Sequence, residues 1–289
     1  MSEVFKNPGF MGARPFCDKT RAVLLGLPLD CTSSFKPGAR FAPGEIRLNS
    51  DAVETFSPVL QKTIDEDIFF SDLGDIACVC GNARKNLEII QATAGEYFKR
   101  GIKVVGIGGE HLASLALVQS LIDCIKRDIA VVHFDAHADL RPEYEGEVYS
   151  HATVMRQIFQ LPHVKRLYQV GVRSLSKEEW DFQKGESDIF FVKDPIELKN
   201  YLEKEKNPLY VTVDLDVLDP SVFPGTGTPE PGGLQFMDLM SYLYLLKESN
   251  ILGADVMELS PGNDHSGIST IAAIKVIREL LLILLWGEI

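Results

Sequence analysis

Residues 129–139 read IAVVHFDAHAD, an apolar run rich in β-branched residues that is followed by two aspartates and a histidine at alternate positions. An apolar run of this length is typical of a β-strand buried on both faces of a parallel sheet. The polar residues come at its carboxyl end, where open α/β sheets bind their ligands. Because strand side chains alternate between two faces, Asp135, His137 and Asp139 can point to the same side.

Similar apolar runs alternate with stretches of helical period along the chain, which predicts an α/β fold with a mostly parallel sheet covered by helices on both faces. Eight strands are expected, at residues 22–27, 67–73, 102–107, 129–134, 166–172, 189–192, 209–214 and 253–259. Helices are expected around residues 87–98 and at residues 112–126, 151–159, 195–205, 235–247 and 269–285. No internal repeat or change of composition divides the sequence, so we expect one domain over residues 1–289.

Composition disfavours several classes of partner and location. The 289 residues include 29 Lys and Arg against 41 Asp and Glu, and the net charge of −12 disfavours nucleic acids and anionic membranes. Five cysteines form neither a recognisable disulfide framework nor a C-x-x-C pair, which favours a reducing cytoplasm. Residues 1–10 lack the pattern of a signal peptide, and the longest apolar run, residues 280–286, is too short to span a membrane.

Acidic residues and a histidine also follow two other predicted strands. Residues 213–220 read VDLDVLDP and residues 106–111 read GIGGEH, so three strand ends carry potential metal ligands. Burying several carboxylates together costs several kcal/mol for each unpaired ion, so the cluster requires cations. An oxygen-rich set with two imidazoles and no thiolate suits a pair of Mn²⁺ ions better than structural zinc. The predicted ligands are His111, Asp135, His137, Asp139, Asp214 and Asp216.

The three motifs resemble those of the ureohydrolases, the family of arginases and agmatinases. They read GGEH at 108–111, DAHAD at 135–139 and DLDVLDP at 214–220. The resemblance covers nearly the whole chain and extends to KPGARFAP at 36–43, PGTGTP at 224–229 and ELSP at 258–261.

The resemblance implies a three-layer α/β/α, arginase-like fold with a central eight-stranded sheet. It also implies a binuclear manganese centre that hydrolyses a guanidinium group to urea and an amine. One ion would be held by His111, Asp135, Asp139 and Asp214, and the other by Asp135, His137, Asp214 and Asp216. Members of the family are commonly trimers or hexamers, so we expect a homo-oligomer.

The sequence departs from the commoner family pattern at three places, and none of them removes a ligand. Glu110 stands where many members have Asp, Ala138 stands where many have Thr, and residues 150–153 read SHAT where many have His-Gly. Ala138 lacks a hydroxyl that could orient a neighbouring side chain.

The resemblance assigns roles to residues outside the ligand set, although each has a plainer alternative as a cap, core or turn residue. His151 matches a proton-shuttle histidine. Within the ligand set, Asp139 would also take or hold the proton of the attacking hydroxide. Glu258 would bind the guanidinium, whose planar fork matches a carboxylate. Thr228 would line the pocket wall. Two further histidines are expected to support the site or the structure, His133 and His265, and one to lie at the surface, His163.

The loop after the second motif indicates the substrate. Residues 140–149 read LRPEYEGEVY, and three glutamates within five residues would attract an ammonium group and repel a carboxylate. We therefore expect agmatine, cleaved to urea and putrescine in polyamine biosynthesis, with Glu143 and Glu145 binding its ammonium end. The pattern D-L-R-x-x-Y-x-G followed by S-H-A-T resembles the agmatinase branch. Arg141 leaves 4-guanidinobutyrate open as the substrate, arginine is a further alternative, and the glutamates could simply face solvent.

Two other classes of function compete with this interpretation. A nucleotide-binding loop is suggested by residues 106–109, but they lack the third glycine of G-x-G-x-x-G and place Glu110 where a pyrophosphate needs bare amides. A non-catalytic metal-binding homologue is the second alternative. All six ligands are present, so the sequence gives no sign of lost activity, and an assay of urea release would decide.

Overall fold

The computed structural model describes residues 9–288, so Ile289 and residues 1–8, on which part of the signal-peptide prediction rests, lie outside the described part. The described residues form these strands: β1 Ala22–Gly26, β2 Phe56–Ser57, β3 Lys62–Thr63, β4 Phe70–Asp75, β5 Lys103–Ile107, β6 Ile129–Phe134, β7 Val164–Val170, β8 Ile189–Val192, β9 Leu209–Asp214 and β10 Ile251–Met257. Eight of them form one parallel sheet in the order β4-β1-β5-β10-β9-β6-β7-β8. The short β2 and β3 pair separately and antiparallel.

All eight predicted strands are present, although several ends are shifted. The second predicted strand begins at Phe70 instead of residue 67, because the Asp67 carboxylate accepts a hydrogen bond of 2.6 Å from the backbone N–H of Thr63 and closes a turn. β7 and β10 end two residues early, because Gly171 and Glu258 adopt φ of 93° and 65°. A left-handed backbone does not continue a strand.

Each of the predicted helices is found, together with two that the sequence analysis missed. The α-helices are α1 Ala42–Asn49, α2 Ala83–Phe98, α3 Ala113–Ile125, α4 Val154–Phe159, α5 Lys177–Gly185, α6 Pro195–Leu202, α7 Phe236–Leu245 and α8 Ile268–Leu284. The helix predicted from residue 151 begins as a 3-10 turn, His151–Thr153. The missed helices are α1, whose Pro43 is favourable in the first turn of a helix, and α5, whose charged sequence has a weak apolar period.

The sheet separates two hydrophobic cores, which makes the fold three-layered as predicted. Successive residues of β1 alternate between them, with Leu24 in one core and Leu25 in the other. The first core lies under α1, α6, α7 and α8, and the second lies under α2, α3 and α4. None of the helices within residues 9–288 is long and apolar enough to cross a membrane.

The strand order brings the three motifs together. β5, β10, β9 and β6 are consecutive in the middle of the sheet. Their registers align Ile107 with Val256, Met257 with Asp214, and Val213 with Phe134. The residues that follow these strands therefore lie side by side at one edge of the sheet.

Candidate metal centre

The first group of potential ligands surrounds the ring of His111, which is fully buried. Nδ1 of His111 lies 3.0 Å from Oδ2 of Asp135, 3.3 Å from Oδ2 of Asp139 and 3.3 Å from Oδ2 of Asp214. These four residues are the ligands that the sequence assigns to one ion. The structure brings them together.

The second group shares Asp135 with the first. Nδ1 of His137 lies 3.1 Å from Oδ2 of Asp216 and 3.4 Å from Oδ1 of Asp135. Asp135, His137 and Asp216 have ligand atoms close enough to hold one ion. The sequence analysis assigned Asp214 to both ions. In the structure, Oδ2 of Asp214 faces Nδ1 of His111 in the first group.

Backbone N–H groups orient the carboxylates of both groups. Oδ1 of Asp135 accepts from His137 N at 2.6 Å, and Oδ1 of Asp214 accepts from Asp216 N at 2.9 Å. Oδ1 of Asp216 accepts from Ala136 N at 3.1 Å. One oxygen of each of these three carboxylates is therefore held by the backbone, which fixes the direction of the whole carboxylate.

The tautomer of His111 indicates that a cation belongs between these groups. Thr212 Oγ1 donates its single hydrogen to Oδ1 of Asp255 at 2.5 Å, so it accepts from Nε2 of His111 at 2.9 Å. With its hydrogen on Nε2, the neutral ring presents a lone pair at Nδ1, an atom for which no hydrogen-bond partner is found in the described part of the chain. A lone pair that faces three carboxylate oxygens is repelled by each of them unless a cation lies between, which is a proton without metal and a metal ion when one is bound, so the residues present fit a metal centre.

His133 lies beside the first group but supports it instead of binding metal. Nε2 of Gln169 donates to the backbone oxygen of Ala138 and to Nδ1 of His133, each at 2.8 Å. Nε2 of His133 therefore carries the hydrogen and donates to Oδ2 of Asp135 at 2.8 Å. This position agrees with the expected supporting role. Nδ1 of His163, a partly exposed residue, lies 3.0 Å from Oδ1 of Asp128. His265 is exposed, so it is not part of the core, and its expected supporting role at the site stays a prediction.

The protonation behaviour of the cluster shows a shortage of positive charge. Burial, followed by the charge of Asp135, raises the pKa of Asp139 to about 7. Burial and the charges of Asp216 and Asp135 raise the pKa of Asp214 well above its ordinary value. Burial lowers the pKa of His111, but the surrounding carboxylates outweigh it and raise that pKa well above the usual range. Without metal, the cluster retains protons where a divalent ion would otherwise lie.

Two site residues have a backbone conformation that side chains rarely adopt. Asp139 has φ 54° and Glu258 has φ 65°. Such strain persists only where the surroundings enforce it. For Glu258 the enforcing contacts are its N–H to Gly109 O at 2.9 Å and its Oε1, which accepts from His111 N at 2.7 Å. Burial raises the pKa of Glu258 to about 8, as expected for a carboxylate that awaits a cationic partner.

A cavity of about 290 Å³ opens above the second group. Its lining includes His137 and Asp139 of the metal groups together with His151, Tyr144 and Thr228. Thr228 Oγ1 donates to Oδ2 of Asp216 at 3.1 Å, so the predicted pocket-wall residue also orients a ligand. The ring of Tyr144 packs edge-on against His151 with centroids 5.6 Å apart.

The structure does not bring Glu143 and Glu145 into the cavity, because both side chains are exposed and neither lines it. Besides Asp139 of the metal groups, Glu179 contributes a carboxylate to the lining, and the sequence analysis missed it. Glu179 accepts from Leu140 N at 3.0 Å and from Ser176 N at 2.7 Å. The S-x-x-E spacing of residues 176–179 is a capping-box pattern and was the available signal.

Comparisons with known proteins agree with this geometry. A family model described as the arginase family matches residues 20–283. The chain belongs to the arginase family. Within the family, an agmatinase from Bacillus anthracis is 39% identical over 284 residues, which cover 97% of each chain. An N(1)-aminopropylagmatine ureohydrolase from Thermococcus kodakarensis is 37% identical over 255 residues, or 84% of each chain.

Solved structures place the chain in the same fold. The crystal structure of agmatine ureohydrolase from Thermoplasma volcanium superposes with a TM-score of 0.85 at 26% identity, covering 99% of this chain and 97% of that one. Arginase-family membership confirms three predictions from the motifs, namely the resemblance, the arginase-like α/β/α fold and an enzyme of the ureohydrolase type.

Proposed function

We propose that the chain is a binuclear manganese hydrolase that cleaves agmatine to urea and putrescine. The observation that carries the proposal is the buried Nδ1 of His111, which faces three carboxylate oxygens at 3.0 to 3.3 Å. The oxygen-rich composition of both groups favours Mn²⁺. The residues that would hold the ions are His111, Asp135, Asp139 and Asp214 for one, and Asp135, His137, Asp214 and Asp216 for the other.

The residues around the cluster are suited to hydrolysis of a guanidinium. When bound, the two ions supply the positive charge that activates a water as a nucleophile. Asp139 takes the proton that the water loses, and Glu258 binds the guanidinium through its carboxylate. His151 gives a proton to the leaving amine as the bond between that nitrogen and the guanidinium carbon breaks. The guanidinium carbon gains the water oxygen, whose remaining proton is released to solvent, so the products are urea and a free amine.

The cavity electrostatics favour an amine as the distal group of the substrate. Glu179 and Arg141 both line the cavity, one with a carboxylate and the other with a guanidinium. Arg141, the cation that could receive a substrate carboxylate, has its Nε 3.7 Å from Oε2 of Glu179 and its guanidinium 5.4 Å from the centre of the Tyr144 ring. A paired arginine attracts a carboxylate less than a free one. We therefore propose agmatine over 4-guanidinobutyrate and arginine as the substrate, and the charges of the exposed Glu143 and Glu145 are screened by solvent.

The test is urea release from the Mn²⁺-loaded protein with agmatine, N(1)-aminopropylagmatine, arginine and 4-guanidinobutyrate. The proposal requires agmatine to have the highest kcat/KM and the metal-free protein to be inactive. A preference for arginine or 4-guanidinobutyrate would overturn the amine assignment. Absence of urea release from every compound, with both ions bound, would favour the non-catalytic homologue.

Two further parts of the proposal concern the assembly and its location. We expect a cytoplasmic homotrimer or homohexamer that supplies putrescine to polyamine biosynthesis. Light scattering of the Mn²⁺-loaded protein measures the oligomeric state, since a trimer or hexamer has a mass three or six times the 32.1 kDa of the chain.

A further inference from the structure

Glu110 is a buried carboxylate outside the proposed ligand set. Its side chain is fully buried, and its oxygens accept three hydrogen bonds from the loop after β1. Oε2 accepts from Thr32 N at 2.7 Å and from Thr32 Oγ1 at 2.9 Å, and Oε1 accepts from Cys31 Sγ at 3.5 Å. These donors are 78 and 79 positions away in the sequence, so Glu110 joins two separate loops at the site.

Thr32 carries this connection to His151. Thr32 Oγ1 accepts from His151 N at 3.1 Å and lies 3.4 Å from the ring Nδ1. The single hydroxyl hydrogen of Thr32 is donated to Glu110. The hydroxyl oxygen of Thr32 can therefore only accept hydrogen bonds from His151. Ser34, two residues along the same loop, lies 3.3 Å from Nε2 on the other side of the ring.

We infer that Glu110 is a positioning residue for His151, acting through Thr32. The inference rests on the proposed function, in which His151 protonates the leaving amine. The length of the side chain is essential, because an aspartate is one methylene shorter and withdraws from Thr32. A buried carboxylate costs folding free energy unless donors satisfy its oxygens. The three hydrogen bonds from Cys31 and Thr32 offset this cost for Glu110.

The experiment compares Glu110→Asp with Glu110→Gln, which keeps the length and one acceptor oxygen. Thr32→Val and Thr32→Ser form a second pair that removes and keeps the hydroxyl. Glu88→Asp, an exposed carboxylate on α2, is the matched control. Hydrogen exchange of the full-length Mn²⁺-loaded protein is followed by mass spectrometry in peptides that contain residues 30–36 and 150–153. Mn²⁺ content, kcat and KM for agmatine are measured on the same samples.

Glu110→Asp and Thr32→Val are expected to speed exchange in both peptides and to lower kcat by about 10-fold or more, with KM and Mn²⁺ content unchanged. The double variant Glu110→Asp/Thr32→Val should lower kcat no more than the worse of the two single variants, because both substitutions act through one contact. Glu110→Gln and Thr32→Ser should recover most of the loss. Unchanged exchange at residues 150–153 in Thr32→Val would overturn the inference, as would equal losses in Glu110→Gln and Glu110→Asp. Because exchange is measured without turnover, a protein inactive on every guanidino compound would refute the proposed function while the exchange data still judge the positioning.

Discussion

Nε2 of His133 donates a hydrogen bond of 2.8 Å to Oδ2 of Asp135, the carboxylate that both ligand groups share. The ring nitrogen of His133 lies close enough to the first group to be mistaken for a ligand. The amide of Gln169 excludes that role, because it occupies Nδ1 and so leaves the hydrogen on Nε2. Donors of this kind fix the orientation and basicity of a metal ligand.

His133→Ala is therefore expected to weaken Mn²⁺ binding by about 10- to 100-fold without changing the number of ions bound at saturation. His133→Gln, which can place an N–H near the same point, should lose less. Titration of Mn²⁺ followed by the electron paramagnetic resonance signal of the free ion measures both. Loss of one ion at saturating Mn²⁺ would mean that His133 is a ligand after all.

The shared position of Asp135 predicts an asymmetry between ligand variants. Asp135→Ala should remove both ions together, because the carboxylate has one oxygen near His111 and the other near His137. Asp214→Ala should do the same if that carboxylate is the second bridge, whereas His111→Ala should weaken mainly one ion. Metal analysis after dialysis gives the counts, and two retained ions in Asp214→Ala would exclude its bridging role.

The raised pKa values predict how metal binding depends on pH. In the metal-free protein the pKa is raised to about 7 for Asp139 and to about 8 for Glu258, so folding stabilises their protonated forms. That stabilisation is complete below the ordinary carboxyl pKa and is lost as pH rises through these folded values. Mn²⁺ replaces the proton of its proposed ligand Asp139, whereas Glu258 is not a ligand, so the gain in Tm on adding Mn²⁺ should grow between about pH 5 and pH 7. A gain that shrinks with rising pH would contradict the displacement of protons.

The approach of two loops beside the site makes Gly109 sensitive to any side chain. A Cβ on Gly109 would lie 2.0 Å from the backbone oxygen of Leu27, and φ is +77°. Gly101 has φ +72° but open space around it, so it controls for backbone strain alone. We expect Gly101→Ala to cost about 1 kcal/mol and Gly109→Ala about 3 kcal/mol or more in unfolding free energy, measured by denaturant titration of the Mn²⁺-loaded protein. Equal losses would show that the loops separate easily.

The residues of both candidate ligand groups could be predicted from the sequence because each motif directly follows a strand of the same parallel sheet. Apolar strands followed by D-x-H-x-D or D-x-D fix both the site of the ligands and the direction of their side chains. The residues at the distal end of the cavity could not be predicted from the sequence. Glu179 lies 39 residues from Leu140, and only the docking of α5 on the loop after β6 brings them together. The glutamates of residues 143–147 are close in sequence to the site yet exposed, so proximity along the chain was misleading there.

Two hypotheses for recognition of the ammonium end can be compared, one based on Glu143 and Glu145 of the loop and the other on Glu179 of the cavity lining. If the loop binds the ammonium end, Glu143→Gln and Glu145→Gln should raise KM for agmatine. Because neither glutamate lines the cavity, we instead expect the KM of both variants for agmatine to stay within about 2-fold of the parent value, since exposed charges are screened. Glu179→Gln keeps the side-chain length but removes the charge, and it should raise KM for agmatine by about 10-fold while narrowing the preference for agmatine over 4-guanidinobutyrate. Thermal unfolding of Glu179→Gln controls for the loss of its bonds to Leu140 and Ser176. A larger effect from Glu143 or Glu145 than from Glu179 would restore the loop as the specificity element.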